Sequence, residues 1–270
     1  MEGEVRVTPE LRWDQGILLL EIAAPLGESE TPPPLVKYAA EQQIRRDFSR
    51  YLDQALETLT IDSFRTFADA LNQAPDLLPV LDTLAAAAVL KKTQLSRDMK
   101  TLLMDFQVPL YPHLIRSFLS PGTGLRLPPA LSWEPSADFT GLVIYAAEPL
   151  PVHGEKDARG MVRTALVEPC LLPKLFDQDM NLILSPELMD RDSLLLWGAA
   201  EYTSGTDAGE LSRRVGNYPF YTTAQGIFGK NRTDLLLPRE DVRRLLSREP
   251  NRRLLREGRI VIITSPPPRD

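Results

Sequence analysis

From about residue 139 to its end, the chain is a succession of short apolar runs separated by Gly, Pro and charged turns. Phe139-Thr140-Gly141-Leu142-Val143-Ile144 opens the series and Gly258-Arg259-Ile260-Val261-Ile262-Ile263 closes it. Short apolar runs bounded by turn formers are strand signals. The second half is therefore read as mostly β. Proline supplies much of the punctuation, 24 residues in 270, and each one fixes φ and removes a backbone donor. The densest cluster holds Pro121-Gly122, Gly124, Pro128-Pro129 and Pro135, which cannot sustain a helix or a strand. Three parts are expected: an N-terminal α+β domain over 1–120, a Pro/Gly-rich linker or crossover over 121–138, and a β-rich domain over 139–270.

The first half carries two clear periodicities. Ala40, Ile44, Phe48, Leu52, Ala55 and Leu59 recur at helical spacing, which predicts one helix over 35–59. Leu102, Met104, Phe106 and Val108 alternate with Leu103, Asp105 and Gln107, which predicts a half-buried strand. The two apolar faces are expected to share one core. Asp14 to Gly16 reads as a turn before an apolar strand at 17–22, and 62–71 and 77–90 as shorter helices. In the second half, strands are expected at 141–147, 161–167, 218–228, 234–237 and 259–264. A hairpin is expected around Asp177-Gln178-Asp179, a helix over 239–247 and a turn over 251–256. The fold class is α+β: a small helix-covered sheet packed with a mostly β C-terminal domain containing one or two short helices.

Little in the chain reads as chemistry. A net charge of -6 offers no broad cationic surface for a phosphate backbone, so no nucleic acid partner is expected. One cysteine and two histidines exclude a disulfide framework, a thiolate cluster and a multi-histidine centre. His153 lies close to Glu155 and Asp157, but a charged hairpin accounts for that trio better than a cation site does. The chain lacks a Gly-x-Ser-x-Gly elbow, and Gly226-Ile227-Phe228-Gly229-Lys230 has the wrong spacing for a phosphate loop. Cys170 has no basic neighbour to activate it. No catalytic, metal or cofactor-binding residue is assigned, and no cofactor is expected. The longest apolar run is broken by Pro79 and Asp82, so no transmembrane segment is expected. Arg243, Arg244, Arg252, Arg253 and Arg256 make the C-terminal region locally basic, as a solvated face or as an electrostatic contact to a neighbouring subunit.

Several stretches resemble one family. They are 140–146, Leu172-Pro173-Lys174-Leu175-Phe176-Asp177, Arg214-Val215-Gly216-Asn217-Tyr218-Pro219, Thr233-Asp234-Leu235-Leu236-Leu237 with Glu240-Asp241, and 255–262. Together they are similar to bacterial lipoprotein-like flagellar proteins of the FlgP type. The resemblance picks out Gly141, Pro173, Asp177, Arg214, Gly216, Pro219, Asp234, Asp241 and Gly258 as structural motif residues. It implies a non-enzymatic structural component of the flagellar apparatus, a ring or collar subunit that associates with itself or with other flagellar envelope proteins. It also implies a periplasmic, outer-membrane-associated location, although the opening Met1-Glu2-Gly3-Glu4 has no signal-peptide pattern. The alternatives are a soluble small-ligand-binding protein and an enzyme of unrecognised type. In either case Gly216 is expected in a backbone conformation that disfavours a side chain, with Pro219 fixing entry into the next strand.

Overall fold

The alternation at 102–108 becomes strand β4, Thr101–Pro109, in which every second residue from Leu102 to Val108 is buried. The structure, a computed structural model, describes residues 4–26, 33–119, 127 and 134–266. These form two units, one of 1–12, 16–59 and 67–117, the other of 13–15, 60–66 and 118–270. The division does not follow the chain simply. The turn at 13–15 and the loop at 60–66 belong to the second unit, a feature that local periodicity does not signal. The linker region at 121–138 lies mostly outside the described residues.

In unit 1, β1 (Arg6–Arg12), β2 (Ile17–Pro25), β3 (Val89–Leu95) and β4 form an antiparallel sheet of order β1-β2-β4-β3. Leu18, Leu20 and Ile22 pair with Val108, Phe106 and Met104, which lays one continuous apolar face across the two central strands. The expected helix over 35–59 is two helices, α1 (Pro33–Arg46) and α2 (Phe48–Leu56). They break at Asp47, whose backbone leaves helical geometry and whose carboxylate accepts from Gln43. α2 buries Phe48, Tyr51, Leu52, Ala55 and Leu56, and the Phe48 and Phe106 rings lie 4.4 Å apart. The predicted shared core is therefore present. Helix α3 spans Phe67–Gln73, not 62–71, and α4 (Pro79–Ala87) stops where β3 begins. Both sheet edges are guarded: β1 carries Pro9, and β3 carries Lys91 and Lys92 at a bulge. A short α5 (His113–Arg116) ends the unit.

Unit 2 has two sheets. β5 (Leu142–Ala146), β10 (Glu201–Thr203), β11 (Phe220–Thr223) and β14 (Ile260–Thr264) form a parallel sheet of order β10-β14-β5-β11. β6 (Leu150–Lys156), β7 (Val162–Ala165), β8 (Leu175–Asp177), β9 (Leu182–Leu184), β12 (Gly226–Phe228) and β13 (Asp234–Leu237) form a mixed sheet of order β7-β6-β12-β13-β8-β9. The single strand expected at 218–228 is thus two, β11 and β12, one in each sheet. Among the described residues four α-helices complete the unit: α6 (Arg191–Trp197), α7 (Ala208–Val215), α8 (Arg239–Ser247) and α9 (Glu249–Arg256). The expected turn at 251–256 is the helix α9, and Pro238 is the N-cap of α8, one place before its first turn. The α+β class holds, with more helix in the second unit than its short apolar runs suggested. Among the described residues no helix is long and apolar enough to cross a membrane.

Because Phe48 is 6% exposed and its ring lies tilted 4.4 Å from that of Phe106, Phe48→Ala is expected to destabilise unit 1 by about 3–5 kcal/mol. Urea unfolding followed by circular dichroism measures it, and a loss below about 1 kcal/mol contradicts this packing.

Candidate functional site

α7 runs back from the carboxyl end of β10 toward the start of β5, and it ends on Arg214, Val215 and Gly216. Arg214 is 5% exposed, a costly place for a charge unless every donor is used. Its Nε donates to the Gly258 carbonyl at 2.7 Å, Nη1 to Trp197 O at 2.7 Å and Nη2 to Gly198 O at 2.9 Å. The guanidinium also lies 4.6 Å from the centre of the Trp197 ring. Trp197 and Gly198 end α6, and Gly258 follows α9. One cation thus meets orphan carbonyls at the ends of two helices while sitting in the last turn of a third, where helix dipoles favour positive charge. Nearby, burial raises the Glu201 carboxyl above its ordinary value, with the Arg214 charge opposing the rise.

The next residues lock the same helix to β5. Gly216 has φ +73° and caps α7, and a Cβ there would stand 2.7 Å from Thr140. Thr140 Oγ1 donates to Val215 O at 2.6 Å and accepts from Tyr218 N at 3.0 Å. Gly141 is pressed against Val215 with no room for a side chain. Pro219 then leads into β11, where Thr222 donates to Asp241 of α8 at 2.6 Å. So Gly141, Arg214, Gly216, Pro219, Asp241 and Gly258 gather around the parallel sheet and its helices.

The remaining motif residues serve the mixed sheet. Asp177 shapes the β8–β9 hairpin by accepting from the backbone of Asp179 and Asn181 at 2.9 and 2.8 Å. Pro173 is buried just before β8. Asp234, 1% exposed, accepts from Ser63 Oγ at 2.6 Å and from Lys174 N at 3.1 Å. Ser63 comes from the 60–66 loop, in which the carbonyls of Thr60 and Ile61 also accept from the amides of Leu171 and Leu172. Gly229, at φ +97°, leaves the space that Ser63 fills. Burial lifts the Asp234 carboxyl above 3.8, although its hydrogen bonds to Ser63 and Lys174 hold it down in part. Burial likewise pushes the Cys170 thiol up to about 12, so it stays protonated beside Tyr202. These polar groups are spent on backbone and neighbours.

The arginines read as an interface are largely paired within the chain. Arg243 reaches Glu134 at 3.7 Å, Arg252 reaches Glu249 at 2.7 Å and Arg253 reaches Glu257 at 2.6 Å. Arg256 is half-buried and Arg244 exposed. Burial works against the Glu257 charge, yet Arg259 and Arg253 outweigh it and hold that carboxyl below its usual range. Asn251, fully buried, straps the chain at Ala137 and Phe139 with two 2.9 Å bonds. His153, Glu155 and Asp157 do not converge. Asp157 turns the β6–β7 hairpin, Glu155 faces Arg163, and no group of metal-holding side chains occurs among the described residues. What the sequence did not single out is an aromatic patch on the mixed sheet. The Phe228 ring is 6.0 Å from Phe64, 6.0 Å from Phe176 and 6.1 Å from His153. Phe64 is 54% and Leu182 47% exposed, and Leu182 pairs with Phe176 on that same face.

Three expected outcomes follow from these contacts. Arg214→Met strands three buried carbonyls and is expected to cost about 3–5 kcal/mol in urea unfolding, with the exposed Arg213→Met near zero. Gly216→Ala is expected to cost about 1–3 kcal/mol by the same measurement. For Asp234 the folded carboxyl binds its proton more tightly than the unfolded one. Its contribution to stability therefore falls as pH rises from 3.8 through the raised folded value, and Asp234→Asn should flatten that part of the stability–pH curve.

No curated protein matches the chain. Two family models do, each over one part of it. Residues 4–117 match the model described as the N-terminal domain of Treponema pallidum Tp0624, and residues 141–266 match that of its second domain, so the chain is similar to these two domains in sequence order.

Proposed function

We propose that this chain is a non-enzymatic assembly subunit of the bacterial cell envelope, and that it serves the flagellar apparatus in the periplasm as the FlgP-type resemblance implies. The observation that carries the assembly reading is the partly exposed aromatic patch in which Phe64, His153 and Leu182 are exposed and Phe176 and Phe228 half-buried. Contiguous apolar surface of this kind marks contact with another protein. The groups that could have performed chemistry support the same reading, because Arg214, Asp234, Asp177 and Asp241 each hold the fold together.

Arg243, Arg252 and Arg253 are engaged in cis, so the association is expected to run through apolar contact and to persist at high salt. Sedimentation velocity across a salt series tests this. Concentration-dependent oligomers that survive high salt and vanish in Phe64→Asp are the expected result, and a monomer under all conditions overturns self-association. In cells, loss of the gene is expected to impair flagellar assembly and motility. Normal flagella in the deletion strain overturn the flagellar assignment while leaving the assembly reading standing.

A further inference from the structure

One face of the parallel sheet is only half covered. Val143, Val261 and Ile263 lie under Leu211 and Val215 of α7 and form a closed cluster with them. Strand alternation places Tyr145 of β5 and Tyr221 and Thr223 of β11 on that same face, since Tyr221 pairs with Val143 and Thr223 with Tyr145. α7 leaves the two rings partly uncovered. Tyr145 stays 39% and Tyr221 59% exposed. Together with Thr206 and Leu211 they line a cleft of about 310 Å³. It lies at the carboxyl ends of parallel strands, where sheets flanked by helices place their ligands.

The lining restricts what fits. Among the described residues, no acidic or basic side chain contributes to it. The neighbouring N-terminus of α7 is already occupied, because Asp207 accepts from Glu210 N at 3.0 Å and Glu210 adds a second carboxylate to the first turn. An anion meets two negative charges there and no free positive end. What remains is a pair of phenol rings with hydroxyl tips, plus threonine hydroxyls, on an open floor. Phenol rings offer flat apolar faces to C–H groups while their edges exchange hydrogen bonds.

We propose that this cleft is a binding site for an uncharged sugar ring within an oligosaccharide, stacked on Tyr145 and Tyr221 and hydrogen-bonded through Thr206 and Thr223. The volume suits about one pyranose ring and its substituents, at the small end of ligand sites. The site is on the other sheet from the Phe228 patch, so it stands or falls independently of self-association.

Titration of the isotope-labelled full chain with cellotriose, chitotriose and trigalacturonate, followed by amide NMR, tests it. At least one neutral trisaccharide is expected to give saturable shifts confined to 143–145, 206–211, 221–223 and 263, at millimolar affinity, with trigalacturonate silent. Tyr145→Ala and Tyr221→Ala are each expected to weaken binding up to about tenfold, and Tyr218→Ala, an exposed ring outside the cleft, to leave it unchanged. Unchanged thermal unfolding of the variants shows that the loss is local. The proposal is overturned by silence from both neutral sugars, by shifts centred elsewhere, by equal binding of trigalacturonate, or by full affinity in the double tyrosine variant.

Discussion

The second unit is organised around one buried positive charge. A guanidinium removed from water must satisfy its donors internally, and Arg214 does so with three main-chain carbonyls at the ends of α6 and α9. Those carbonyls have no intrahelical partners of their own, so the need is mutual. The planar fork fixes the angles at which the chain segments arrive, which sets where β10 and β14 begin. Trp197 then closes the arrangement from the side, donating its indole N–H to Glu257 O at 2.9 Å. Gly141, Gly216 and Thr140 complete the fit on the β5 side. The parallel sheet, its helices and its half-covered face all inherit their placement from this point.

A second, neutral-looking anchor does for the mixed sheet what Arg214 does for the parallel one. Asp234 opens β13 in the middle of the sheet, and its carboxylate would be stranded without Ser63 and the Lys174 amide. The loop that brings Ser63 is itself shaped locally: Asp62 accepts from the Phe64 and Arg65 amides and from the Arg65 side chain. It also presents Phe64 to Phe228. The same seven-residue stretch, 60–66, therefore supplies Ser63 to the structural anchor and Phe64 to the aromatic patch.

Features governed by neighbours in sequence were legible, and features governed by distant partners were not. β4 was readable because one face meets the core and the other does not, which writes the pleat into the sequence. β5 and β14 were readable as strands, but their near-continuous apolar runs carry no sign of parallel order. α7 escaped notice because only Leu211 and Val215 mark its apolar side. Asp207 followed by Glu210 was the available signal, an N-cap with an acid three places on. Arg214, Asp234 and Gly216 were recognisable as motif positions, yet their roles depend on carbonyls and a serine far away in sequence. Carbonyls leave no trace in residue identity. The arginines of α8 and α9 were legible as a locally basic run, but their acidic partners, among them Glu134 and Glu249, were too unremarkable to be noticed as pairs.

The loop at 60–66 also sets an order of events. Ser63 and Asp234 are 171 positions apart, and the amides of Leu171 and Leu172 that take its carbonyls come more than a hundred residues after it. During synthesis the loop emerges long before its distant partners exist, so the Ser63 hydroxyl stays hydrated until the last third of the chain arrives. Closing so long a loop is slow relative to forming local turns. The mixed sheet can therefore be completed only near the end of folding. A fragment beginning after residue 120 would be born without its own plug, with Asp234 left to find water instead.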